Sequence, residues 1–150
     1  MKLRISHNSL RLRLTRSDVE RLRQAGVVEE STLLGGAIPF AYRLSVDPQL
    51  REIRTGRYPH GIQVRLPEDM ALAWSASERV RISGVEVHPG GRSTTVLIEK
   101  DFTCLKPRAA EDDKDAFPNP AARERETHGD ASSFSADVLS SQGTPSKSLE

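Results

Sequence analysis

One pattern, present twice, limits what this chain can fold into. Residues 9–22 read SLRLRLTRSDVERL, and at a shift of 52 residues 61–74 read GIQVRLPEDMALAW. In each copy three apolar side chains alternate with polar ones: Leu10, Leu12 and Leu14, then Ile62, Val64 and Leu66. A period of two belongs to a strand with one buried face. A helix start follows each strand. In the first copy Thr15 can cap the helix while Asp18, three residues on, sits at the positive end of its dipole. In the second, Pro67 is tolerated in a first helical turn and Glu68 and Asp69 suit it. The fold must therefore bury one face of each strand and one stripe of each short helix.

The flanking residues extend this into two similar halves. Leu3 and Ile5 alternate with polar residues, and His7-Asn8 makes a tight turn into Leu10, Leu12 and Leu14, so the chain opens as a hairpin with an apolar face and an arginine face. Val19, Leu22 and Ala25 form a helical stripe that Gly26 ends. Val27-Val28 and Thr32-Leu33-Leu34 suggest a third strand broken at Gly35-Gly36; residues 38–46 provide a fourth, with Phe40, Tyr42, Leu44 and Val46 on one face. The second half starts with a weaker strand at Glu52-Ile53-Arg54, then a turn-rich stretch over residues 55–61. After the stripe Met70, Ala71, Ala73 and Trp74, the pairs Val80/Ile82 and Val85/Val87 read as strand separated by Ser83-Gly84, and residues 94–99 form a last strand. Each half thus reads strand, strand, helix, strand, strand. Tyr42, Leu44 and Asp47 meet Val96, Ile98 and Asp101 only when two residues are inserted. The expected fold class is α+β and mostly β: a small barrel-like antiparallel sheet of about eight short strands with two short helices, arranged as an internal ββαββ duplication. Closing such strands into a barrel would remove exposed edges.

Charge divides the chain differently. The net charge of +1 averages a segment over residues 109–150, with nine acids against four bases, and a segment over residues 1–108, with 18 bases against 12 acids. Residues 1–108 are read as the compact domain, 109–120 as an acidic clasp in which Phe117-Pro118 docks on it, and 121–150 as a disordered tail. That tail has too little apolar surface to offset its ordering entropy. The single cysteine, Cys104, excludes an intramolecular disulfide framework and fits a reducing compartment. No apolar run is long enough to span a bilayer, so a soluble cytoplasmic protein is the default expectation.

A resemblance to a family rests on the opening LRISHNSLRLRLTRSDVERL together with the run Ile98-Glu99-Lys100-Asp101-Phe102-Thr103-Cys104-Leu105, followed by Glu111-Asp112 and Asp115-Ala116-Phe117-Pro118-Asn119-Pro120. Over residues 1–120 the chain resembles an uncharacterised bacterial domain family of unknown function, which implies a compact module and no assigned activity. More loosely, a strand ending in Leu66-Pro67, acids and a short helix, then Val80-Arg81-Ile82 and Val96-Leu97-Ile98, is similar to the half-barrel of bacterial transition-state regulators. Those are swapped-hairpin DNA-binding barrels normally made from two chains. Their usual Gly-Asp pair is absent; Ser77-Glu78 stands there.

Two constellations could carry function. Arg4, Arg11, Arg13, Arg65, Arg79 and Arg81 all fall at outward positions of the expected strands. Guanidinium groups on one surface suit phosphate backbones, because each contact releases counterions. The same residues also suit a solvated face paired to Glu52, Glu78 or Glu86, or a docking face for an acidic protein or the chain's own acidic tail. Cys104, Asp112, Asp115 and His128 are metal-ligand types, but their spacing matches no closed zinc site. Nothing forms a sequence-defined catalytic group, although His7, His60 and His88 would gather at one rim, with Asp101 or Tyr58, if a two-fold axis relates the halves. The leading reading is a small non-enzymatic binding or regulatory module without a cofactor, whose arginine face meets a nucleic acid or an acidic protein and for which a monomer is compatible. The alternative is a small metal-dependent or cysteine-using enzyme with its site near Cys104 and the turn histidines.

Overall fold

A computed structural model describes residues 1–103 and 114–119. The elements run β1 (Lys2–Ser6), β2 (Ser9–Leu14), α1 (Arg16–Ala25), β3 (Val27–Thr32), β4 (Phe40–Asp47), β5 (Arg54–Tyr58), β6 (Gly61–Pro67), α2 (Glu68–Ser75), β7 (Arg81–Val87) and β8 (Ser93–Lys100). The local chemistry of α1 is explicit. Thr15 Oγ1 accepts from the Asp18 N–H while Asp18 Oδ2 accepts from the Thr15 N–H at 3.0 Å, a complete capping box. At the other end Gly26 takes a φ of +69° and its N–H reaches the Leu22 carbonyl.

The strands form two four-stranded sheets, ordered β1-β2-β8-β7 and β3-β4-β6-β5. Each sheet takes one hairpin from each half of the chain. The outer pairs are antiparallel, but both central pairs, β2·β8 and β4·β6, are parallel. The expected α+β, mostly-β, barrel-like arrangement of eight strands and two helices holds, but the sheets are mixed rather than antiparallel and the barrel is not closed. Alternation of apolar residues sets which face is buried and leaves the direction of the neighbouring strand open.

The repeat holds in three dimensions. Within the first hairpin of each half, Ser6↔Ser9 corresponds to Tyr58↔Gly61 at the shift of 52. Within the second hairpins, Thr32↔Phe40 corresponds to Glu86↔Thr94 at a shift of 54. The parallel pairs obey both shifts together, since Ser9↔Thr95 is the counterpart of Gly61↔Ala41. Leu12 and Val64, Leu14 and Leu66, Leu22 and Trp74, and Leu44 and Ile98 are corresponding pairs, and all are buried.

Three element boundaries depart from the sequence pattern. Residues 55–58, rich in turn formers, are strand in β5, because the counterpart of β1 has β6 to pair with. Leu33 and Leu34 lie past the end of β3 and are exposed. Strand β7 runs through Ser83-Gly84 unbroken, and a Cβ at Gly84 would come within 3.1 Å of Ile53 Cδ1, so the glycine makes room for a buried side chain.

Leu12, Leu14, Ile82, Val96 and Ile98 from one sheet and Val28, Leu44, Val64 and Leu66 from the other form one core with Val19, Leu22, Ala71 and Trp74 of the helices. Two polar seams join the sheets. At one, the Met1 ammonium lies 2.7 Å from Asp18 Oδ2 and 3.3 Å from Glu30 Oε1, and the Tyr42 hydroxyl donates to the Met1 carbonyl. At the other, Glu86 Oε2 accepts from the Thr55 N–H at 2.6 Å and from its hydroxyl. Residues 114–119 return to the sheet end: the Phe117 N–H donates to the Asp101 carbonyl at 2.7 Å, and the Phe102 and Phe117 rings lie 5.8 Å apart. Met1–Asn119 is one compact unit. The expected boundary at 108 and the expected tail over 121–150 lie outside the described residues.

Candidate anion-binding face

Sheet β1-β2-β8-β7 turns its apolar side chains to the core, so the alternate positions share an outer face. Cross-strand register arranges that face in rows. One row is Lys2, Arg13, Glu99 and Arg81; the next is Arg4, Arg11, Leu97 and Ser83. Lys2 therefore stands directly opposite Arg13, and Arg4 opposite Arg11. Lys2, Arg4, Arg11 and Arg13 line a cleft of about 160 Å³ together with Leu3.

Two carboxylates temper this charge. Glu99 is buried and accepts from Arg11 Nε at 2.7 Å, with Arg13 Nε at 3.6 Å; Asp101 Oδ2 holds Lys2 Nζ at 2.9 Å. Arg4 and Arg81 make no ion pair with any described residue. Among the described residues the face thus carries five cations (Lys2, Arg4, Arg11, Arg13, Arg81) against two carboxylates.

The repeated sheet β3-β4-β6-β5 supplies an internal comparison. Its outward cations are each answered: Arg65 by Asp47 at 3.3 Å, Arg54 by Glu52 at 3.3 Å and Glu86 at 3.8 Å, and Arg43 by Glu29 at 3.9 Å and by the Tyr58 hydroxyl at 3.0 Å. The structure consequently separates the six arginines singled out from sequence. Arg4, Arg11, Arg13 and Arg81 share one face, Arg65 lies on the other sheet, and Arg79 is exposed in the connection between α2 and β7. Lys2 belongs to the cluster and escaped the arginine count; its register opposite Arg13 was the available signal.

Of the candidate metal ligands, Cys104, Asp112 and His128 lie outside the described residues. Asp115 is engaged at the start of α1, accepting from the Ser17 hydroxyl and, at 3.3 Å, from the Ser17 N–H; these contacts hold its carboxyl below the usual carboxylate range. Among the described residues no group of three or more His, Cys, Asp or Glu is placed to hold a metal ion. The histidines gather only in part. His7 and His88 line one cleft, with Arg57 rather than Asp101 or Tyr58 beside them. His60 lies at the β5–β6 turn, where its carbonyl accepts from the Ala41 N–H at 3.0 Å.

The class defined by these features is an internally repeated α+β module of two mixed sheets. The chain belongs to a family of unknown function, DUF7009, whose model matches residues 1–121. No curated protein and no solved structure matches it, so the likeness to transition-state regulators has no matching structure behind it. Among the described residues no helix is long and apolar enough to cross a membrane.

Proposed function

We propose that this protein is a non-enzymatic binding module, bacterial and cytoplasmic in setting, whose β1–β2 face docks on a nucleic-acid phosphate backbone. The observation that carries this reading is Arg4 standing opposite Arg11 beside the Lys2–Arg13 pair; the other sheet repeats only the second pair, as Arg54 opposite Arg65, and answers both arginines with carboxylates. Like charges directly across two strands repel and destabilise the pairing. A fold that answers the outward cations of one sheet and leaves Arg4 and Arg81 of the equivalent sheet without an ion pair to any described residue has those guanidinium groups available to an external anion. Arginine suits the role because its planar fork meets phosphate oxygens in a bidentate manner.

The face has no aromatic side chain among its outward strand positions, so it offers no platform for unstacked bases. That favours a duplex backbone over a single strand. The test is fluorescence anisotropy with a labelled duplex over a range of salt concentrations. With four cations engaged, the slope of log affinity against log salt should be about −3 to −4. Arg4→Gln and Arg11→Gln should each reduce that slope by about one, and Arg65→Gln on the other sheet should leave it unchanged. Binding that ignores salt, or that Arg65→Gln weakens as much as Arg11→Gln, would overturn the proposal.

A further inference from the structure

The β1–β2 turn, strand β5 and the end of the β7–β8 hairpin border an open cleft of about 350 Å³. Leu10 and Ile62, both half-buried, form its floor, and His7, Arg57, His88 and Thr94 stand around it. Among the described residues no carboxylate lines it; Glu86, which interacts electrostatically with His88, is occupied by the Thr55 N–H and hydroxyl and lies 3.8 Å from Arg54. Arg57 is exposed and makes no ion pair with any described residue. His88 Nε2 lies 2.8 Å from Thr94 Oγ1, which fixes the ring against the wall.

Two observations argue that the fold does not itself require these cations. First, the repeat presents the same place twice. The shift of 52 carries Arg57 onto Ile5, the shift of 54 carries His88 onto Leu34 and Thr94 onto Phe40, and Leu10 and Ile62 are each other's counterparts. The positions of Arg57, His88 and Thr94 therefore have apolar counterparts, whereas Gly56 falls on Arg4 and Asn8 on His60. Second, His7 has a φ of +52°, a left-handed conformation that glycine takes freely, as has His60 at the β5–β6 turn with +61°; the turn itself therefore does not call for the His7 side chain.

We propose that this cleft binds a small organic anion, a carboxylate or a phosphate monoester attached to an apolar group. The anion lies between Arg57 and the imidazoles of His7 and His88, and the apolar body rests on Leu10 and Ile62. A guanidinium fork pairs with either oxyanion, and the volume falls within the range of small-molecule sites. The site is separate from the β1–β2 face, so either can fail without the other.

The experiment is an NMR titration of the ¹⁵N-labelled full chain with phenyl phosphate and with benzoate, against neutral benzyl alcohol at the same ionic strength. One or both anions should shift the amides of His7, Leu10, Arg57, Ile62 and His88, the comparison showing which head group is preferred. Arg57→Gln should weaken binding about tenfold, the loss of one charged hydrogen-bonding partner. His7→Gly, which suits the positive φ and keeps the turn, should also weaken it, while Arg4→Gln should not. Equal binding of benzyl alcohol, no effect of Arg57→Gln, or shifts centred on Lys2, Arg11 and Arg13 would each overturn the assignment.

Discussion

Asp18 is a buried carboxylate on which a helix cap and two cations converge. It is 1% exposed, closes the capping box of α1, accepts the Met1 ammonium and pairs with Arg21. Burial acts to raise its pKa, but the hydrogen bonds from the Met1 ammonium and Thr15 outweigh it and hold the carboxyl below the usual range. Its stabilisation is therefore complete above the ordinary carboxylate pKa and is lost as pH falls through the depressed one. Asp18→Ala should cost about 2–4 kcal/mol, since the buried Met1 ammonium is left with Glu30 alone and the capping box loses the half in which Asp18 accepts the Thr15 N–H; urea unfolding at neutral pH measures this. The variant should also show a weaker loss of stability on acidification than the parent. The cap was legible in the spacing of Thr15 and Asp18. The ammonium was not, because only the folded chain brings Met1 across to α1 and β3.

Among the strands, β6 shows where backbone geometry admits one residue type. A Cβ on Gly61 would stand 1.7 Å from the Ala41 carbonyl oxygen, where the parallel pairing of β4 and β6 begins. Gly61→Ala should therefore destabilise by about 3 kcal/mol or more, at the upper end of overpacking effects. Ser9→Ala, at the corresponding position of β2, should stay within about 0.5 kcal/mol. Denaturant midpoints of the two variants provide the contrast. Most elements could be read from the sequence, because period two and the helix-start signals act locally. Strand β5 could not: Gly56 is a poor strand former and the following Pro59-His60-Gly61 reads as turn, and pairing with β6 overrides that local signal. The direction of β2 against β8 was equally hidden, since alternation is blind to it.

For the whole molecule, the decisive fact is that neither sheet belongs to one half of the chain. Each half supplies a hairpin to both sheets, and the core draws on all of them. Residues 1–103 should therefore unfold as one unit: calorimetric and van't Hoff enthalpies should agree, and two separable transitions would contradict this arrangement. The candidate face was legible as alternating arginines, but its extent was not. Which arginines share a sheet depends on the exchange of hairpins, which placed Arg81 beside the β1–β2 cluster and sent Arg65 to the other side. Arg57, in a stretch that reads as a turn, gave no sign of its place beside His7 and His88. The exchange also sets an order on synthesis. Strand β2 emerges early, yet the inner edge that Leu10 and Leu12 present to Val96 and Ile98 stays open until β8 has left the ribosome. The nascent hairpin must wait with that edge unsatisfied, a state that invites pairing with other chains. The arginines that crowd its solvent face, by repelling a second copy of the same hairpin, would guard the chain during that interval.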